Sequence, residues 1–222
     1  MLLNEPAVVV PGHLDTGAKV SAYTVSRIHK VLKSAFGKAV GWEYTAVNPT
    51  LGATLPEQKS VKRDAWSDEE AIQALNACEN PVLQTAMYLA LGCSMRLGEI
   101  LGLQWGQVHM EDDLVSSGEA YLKIDRELRR CSNDSIEALE QVQRSTVMFK
   151  FPVVMPKKCT TTLVLKAPKT ESSNRTVYLP MAVVHELQRV QKRQEEYKLL
   201  LGDEYRDYGL VIAQLNGRPY EQ

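Results

Sequence analysis

The sequence predicts an α+β fold, mainly helical, with one small antiparallel sheet. Three observations carry this. Apolar residues recur at helical spacing over about 20–40 and again over 181–200. Between them, Ser67 to Leu103 reads as a series of capped helical segments. After these come three short runs rich in β-branched and apolar residues, 121–124, 162–165 and 176–179, bounded by turn residues. A chain of 222 residues has room for one or two domains, each with a core.

Residues 1–17 hold Pro6, Pro11, Gly12 and Gly17 and read as an irregular lead-in. In the first helix, Val25, Ile28, Val31, Leu32, Ala35, Phe36 and Ala39 share a face, with Arg27, Lys30 and Lys38 roughly opposite. Asn48-Pro49 closes this unit. The expected boundaries are a first domain at 1–50, a linker at 51–63 with Gly52, Pro56 and a basic end, and a second domain at 64–222. Ser67 is the expected N-cap of the next helix, with Glu70 at the capping-box position. Pro81 opens a further helix through the apolar run Val82–Leu91, and Gly92 ends it. Gly98 is the expected N-cap of a helix from Glu99 to Leu103. Residues 132–143 read as a helical insertion, Leu210–Ala213 as a strand and Asn216-Gly217 as a turn.

Net charge is −1, which by itself argues against a nucleic-acid partner. Its distribution argues the other way. Between Ala18 and Arg63 the only acids are Glu43 and Glu57, and between Gln141 and Pro180 the only acid is Glu171. Two basic surfaces suited to a phosphate backbone follow, or else two solvated faces without a ligand. Cys78, Cys93, Cys131 and Cys159 lie far apart without a CxxC spacing and read as reduced cytosolic thiols. No metal site and no cofactor is expected. The sequence lacks a run of about 18 apolar residues, so no membrane span is expected and a cytoplasmic location is.

Arg96 stands in a short polar break between two apolar segments. A guanidinium is always charged and is costly to bury without an anion. At the entrance to a helix it can grip two phosphate oxygens, or it can simply pair with Glu99 and stitch the turn. Taken alone, the pair with Glu99 is the plainer reading. The wider stretch LGCSMRLGEILGLQW, Leu91 to Trp105, resembles the first signature of tyrosine recombinases, the phage-type integrase family: a buried helix, Gly-x-x-Arg-x-Gly-Glu, an apolar turn and Leu-x-Trp. Gly92 and Arg96 are one residue further apart than in the tightest form. The resemblance implies that Arg96 binds the scissile phosphate and that Glu99 supports the site.

A second stretch, PKTESSNRTVYLP, reads as a β-hairpin with Lys169 near its tip. A lysine there is ordinarily just solvated. The stretch also resembles the lysine hairpin of the conjugative-transposon branch of integrases, which implies that Lys169 enters the minor groove and protonates the leaving 5′ oxygen. Thr170, Ser172, Ser173 and Arg175 are then candidate DNA-backbone contacts. The segment VSRIHKVLKSAFGKAVGWEYTAVNPT looks like the last helices of that family's core-binding domain, and Arg27, His29, Lys30, Lys33 and Lys38 become candidate phosphate contacts. His29 reads equally as a surface or partly packed histidine. On this resemblance 1–50 is a partial core-binding domain and 64–222 the N-terminal part of a catalytic domain. Residues 125–162 look like that branch's longer strand connection.

The family's reaction is metal-free phosphoryl transfer through a 3′-phosphotyrosine. Its remaining groups are His-x-x-Arg, a His or Trp, and the nucleophilic Tyr. None of the nine tyrosines has the expected context. His185-Glu-Leu-Gln-Arg189 has His-x-x-x-Arg spacing and lies on the wrong helix. The expectation is therefore a C-terminally truncated recombinase, a fragment or remnant inactive by itself, with duplex DNA and other protomers as partners. Its alternatives are a non-catalytic DNA-binding remnant and a helical interaction module.

Overall fold

The structure, a computed structural model, describes residues 19–57, 64–143, 145–153, 159–168 and 173–221. The chain divides into two compact units, Met1–Ala65 and Trp66–Gln222.

The described part of the first unit is built on α1 (Ala22–Gly41). Ser21 caps it by accepting the Thr24 N–H. The segment after it turns back, and Asn48 Nδ2 donates to the Lys33 carbonyl at 3.0 Å. That return is short and covers little. Val25 is buried and Phe36 half-buried, whereas Ile28, Val31, Leu32 and Ala35 of the expected packing face are exposed.

In the second unit α2 (Asp68–Ala77) begins as expected: Ser67 Oγ accepts the Glu70 N–H and Glu70 accepts the Ser67 N–H. Helix α3 (Pro81–Cys93) is capped by Asn80, with Pro81 in its first turn. It runs past Gly92, contrary to expectation. A Cβ on Gly92 would stand 2.7 Å from Val183 Cγ2, so this glycine admits the helix α7 (Met181–Leu201) that packs on α3. The residue that ends α3 is Ser94, left-handed at φ 51°. Helix α4 (Leu97–Gly102) then starts two residues earlier than expected, with Arg96 and not Gly98 at the N-cap.

Two three-stranded antiparallel sheets follow where one was expected. The first has the order β1 (Val108–His109), β2 (Tyr121–Ile124), β6 (Arg175–Tyr178). The second has the order β3 (Glu127–Ser132), β5 (Thr161–Lys166), β4 (Val147–Lys150). Between β1 and β2 lies α5 (Asp112–Ser117), and α6 (Asn133–Gln141) occupies the expected insertion. The hairpin expected around Lys169 is not formed by its flanking strands: β5 pairs with β3 and β4, and β6 pairs with β2. The connection between β5 and β6 thus crosses from one sheet to the other. The second sheet packs on α4, where a Cβ on Gly102 would lie 2.6 Å from the Leu128 nitrogen of β3. The expected strand at 210–213 reduces to isolated bridges, Gln104 with Leu210 and Ala213 with Pro219.

The core of the second unit joins Leu89 and Cys93 of α3, Ile100 and Leu101 of α4, Leu122 and Ile124 of β2, and Val183, Val184 and Leu187 of α7. The four cysteines are free, and burial pushes the Cys93 thiol up to about 11. No described helix is long and apolar enough to cross a membrane.

Candidate functional site

The left-handed turn at Ser94 places Arg96 at the N-cap of α4 and Glu99 in its first turn. An arginine offers donors only, so the cap works in one direction: the Arg96 N–H donates to Glu99 Oε2 at 2.9 Å. The Arg96 guanidinium reaches the same carboxylate, Nη1 to Oε1 at 2.9 Å. The two side chains differ sharply in exposure, 72% for Arg96 and 4% for Glu99. A buried carboxylate therefore presents an arginine to solvent.

A third group completes the arrangement. Arg175, first residue of β6, forks onto Glu99 with Nη2–Oε2 at 2.8 Å and Nη1–Oε1 at 3.1 Å. Its Nη2 also donates to the Ser94 carbonyl at 3.3 Å and its Nη1 to the Ser173 carbonyl at 3.4 Å. Burial pushes the Glu99 carboxyl up. The hydrogen bonds from Arg175 and from the Arg96 backbone and side chain outweigh that and hold it below the usual carboxylate range. The bond to Glu99 raises Arg175 in turn. Two guanidiniums on one carboxylate leave a net positive charge beside an open surface.

The structure thus brings Arg96, Glu99 and Arg175 together. Ser173 lies just before β6. Lys169, Thr170 and Ser172 fall outside the described residues. Arg27, His29, Lys30, Lys33 and Lys38 all lie on α1. Lys30, Lys33 and Lys38 are exposed, and Arg27 donates to the Tyr23 hydroxyl at 3.1 Å with its guanidinium over that ring. His29 is half-buried in the wall of an apolar cleft with Val25, Ile28, Leu32 and Pro49.

The tie between Glu99 and Arg175 was not anticipated. The two are 76 positions apart, and Arg175 follows Asn174 in what reads as a polar turn. A carboxylate placed to be buried between apolar helices was the available signal that a second cation was needed. The other candidate chemistries resolve into structure. His185 is exposed, while Arg189 pairs at 2.9 Å with Glu186, whose other oxygen accepts from Thr85 at 2.6 Å. Tyr208 packs against Phe149 and Phe151. Burial and the nearby Asp207 raise the Tyr205 phenol.

The second unit is thus mainly helical with two small sheets, and an exposed arginine on a buried carboxylate enters its short fourth helix. No family model matches the chain. A curated relative, a XerC-like tyrosine recombinase of Caldanaerobacter subterraneus subsp. tengcongensis, is 27% identical over 197 residues, 83% of this chain and 42% of that protein. Among solved structures, the Tn1549 transposon integrase in complex with a circular intermediate DNA superposes with a TM-score of 0.62 at 15% identity, over 90% of this chain and 54% of that one. A variant of that integrase with transposon right end DNA gives the same TM-score, identity and coverage. The chain is thus similar in sequence to a tyrosine recombinase and in fold to a transposon integrase, and it spans about half the length of the relatives it matches.

Proposed function

We propose that the chain takes part in site-specific recombination or integration of a mobile element, binding duplex DNA and gripping a backbone phosphate with Arg96. In this reading Glu99 supports Arg96, and Lys169 is the acid for the leaving 5′ oxygen. The exposed cations of α1, Lys30, Lys33 and Lys38, contact the backbone, as do Arg27 and Thr170. Residues 1–50 act as part of a core-binding domain, 51–63 as a linker and 64–222 as the N-terminal part of a catalytic domain. Other recombinase protomers are partners at the recombination site, and the work is cytoplasmic. The supporting observation is the exposure of Arg96 on a buried, ionised Glu99. An anion of the size of a phosphodiester can reach its unspent N–H groups without displacing the carboxylate. DNA is the macromolecule in the complexes of the Tn1549 integrase.

Within these 222 residues no His-x-x-Arg occurs; in this reading the stretch supplies phosphate binding, and none of its tyrosines is assigned as the nucleophile. Fluorescence anisotropy with duplex DNA tests the binding. Affinity is expected to fall steeply with salt, and Arg96→Ala to weaken it and to flatten the dependence on log salt by about one. Salt-independent or absent binding removes the reading. A nicked suicide duplex tests the second half: covalent trapping on these residues would show a nucleophile among them. An interaction module is the competing reading, favoured by the exposed Val31, Trp42, Tyr44 and Leu51 of the first unit. It predicts no DNA binding at all.

A further inference from the structure

We infer that Arg175 is a positioning residue, acting through Glu99 to hold the Arg96 guanidinium, and is not itself a DNA contact. This rests on the reading of Arg96 above.

Counting donors separates the two arginines. A guanidinium has two N–H groups on each terminal nitrogen and one on Nε. Arg175 Nη1 has two acceptors, Glu99 Oε1 and the Ser173 carbonyl, and Nη2 has two more, Glu99 Oε2 and the Ser94 carbonyl. All four terminal N–H groups are spent inside the protein. Arg96 spends one, on Glu99 Oε1. A phosphate approaching the terminal nitrogens of Arg175 would have to break the fork or a backbone contact, leaving it only the single Nε–H, whereas Arg96 can offer a terminal nitrogen as it stands.

Geometry gives the fork its purpose. Glu99 sits in the first turn of a short helix, and its carboxyl must turn back to reach both the Arg96 N–H and the Arg96 side chain. Arg175 bonds both oxygens with its two terminal nitrogens, fixing the plane of the carboxylate. It also holds the Ser94 carbonyl, and so the left-handed turn that leads into Arg96. Arg175 thereby links the first strand position of β6 to the α3–α4 turn.

A double-mutant cycle in duplex binding by the 222-residue chain tests this. Arg96→Ala and Arg175→Ala are each expected to lower affinity about fivefold to tenfold, and the double variant to lose no more than either alone. With Arg96 already alanine, Arg175→Ala is expected to leave the salt slope unchanged. Arg175→Lys keeps the charge but cannot fork onto a carboxylate, so it is expected to bind like Arg175→Ala. Carboxyl carbon NMR gives a readout independent of binding: in Arg175→Lys the Glu99 titration is expected to move up, toward the ordinary carboxylate range. Additive losses, a further flattening of the slope by about one in the Arg96→Ala background, full recovery by lysine, or an unmoved Glu99 titration each overturn the inference while leaving Arg96 as a phosphate ligand. If Arg96→Ala itself has no effect, the phosphate reading fails and the inference falls with it.

Discussion

Arg96 and the lysines of α1 are both exposed cations, and the protein holds them in opposite ways. Arg96 rests on a carboxylate that is 4% exposed and bonded by two arginines, Arg96 itself and Arg175. Lys30, Lys33 and Lys38 have no acid in the first turn of their helix, and only two residues of that helix are buried. One charge is fixed in direction by the fold. The others are displayed on flexible stems along a helix. A fixed guanidinium suits recognition of one phosphate in one orientation. A row of mobile ammoniums suits attraction to a backbone without register.

Removing the scaffold from the fixed charge should have the largest effect. Glu99→Ala leaves Arg175 without its fork and Arg96 without its cap. Loss of one partner from a buried pair is strongly destabilising, and discounting for the exposure of Arg96 gives about 2–3 kcal/mol. Urea unfolding measures it. A loss near zero would mean that solvent replaces the carboxylate, and the contrast between the two regions would be one of degree. On α1, Lys30→Ala with Lys33→Ala should stay within about 0.5 kcal/mol of wild type in the same assay. In duplex binding the same pair should flatten the salt slope by about two. A stability loss on α1 comparable to that of Glu99→Ala would break the distinction.

The pH dependence separates the regions next. Glu99 is held below its ordinary value in the folded protein, so the unfolded chain binds its proton more readily. Its contribution is present in full above the unfolded glutamate value of about 4.3 and is lost as pH falls through the lower folded value. Stability should therefore fall on the acid side of that value, and Glu99→Gln should remove that part of the fall. An identical acid limb in Glu99→Gln would assign it to other carboxylates, Asp207 among them, whose bond from Lys198 also holds it down against burial.

How much of this was legible in the sequence depended on whether the signal was local. The Ser67 capping box, Pro81 at a helix start and the apolar faces of α3 and α7 follow from neighbours within a turn or two, and the structure has them. The second sheet was not legible. Glu127-Leu-Arg-Arg-Cys-Ser carries too much charge to read as a strand, and it becomes one because Gly102 lets its backbone dock on α4. The supposed hairpin failed for a related reason. Two strands close in sequence usually pair, but β2 and β3 had already supplied separate partners. At the site, the Arg96–Glu99 pair follows from spacing, whereas Arg175 depends on that same sheet order and was invisible to it.

The smallest expected effect concerns the turn that delivers Arg96. Gly92, the glycine of the signature-like stretch, is helical, and the left-handed position falls on Ser94. A side chain in that conformation costs roughly 1 kcal/mol relative to glycine. Replacing Ser94 by glycine removes the strain but also loosens the unfolded chain, which offsets part of the gain. A net stabilisation of about 0.5 kcal/mol is expected for Ser94→Gly in urea unfolding. Gly92→Ala should go the other way by about 1–3 kcal/mol, because its Cβ meets Val183 of α7. The two glycine substitutions thus have opposite signs within three residues. A neutral Gly92→Ala would mean that α7 does not approach Gly92 closely, and a destabilising Ser94→Gly would mean that the left-handed position does not fall on Ser94. The second outcome would remove the turn that leads into Arg96 at the cap, where Glu99 holds it.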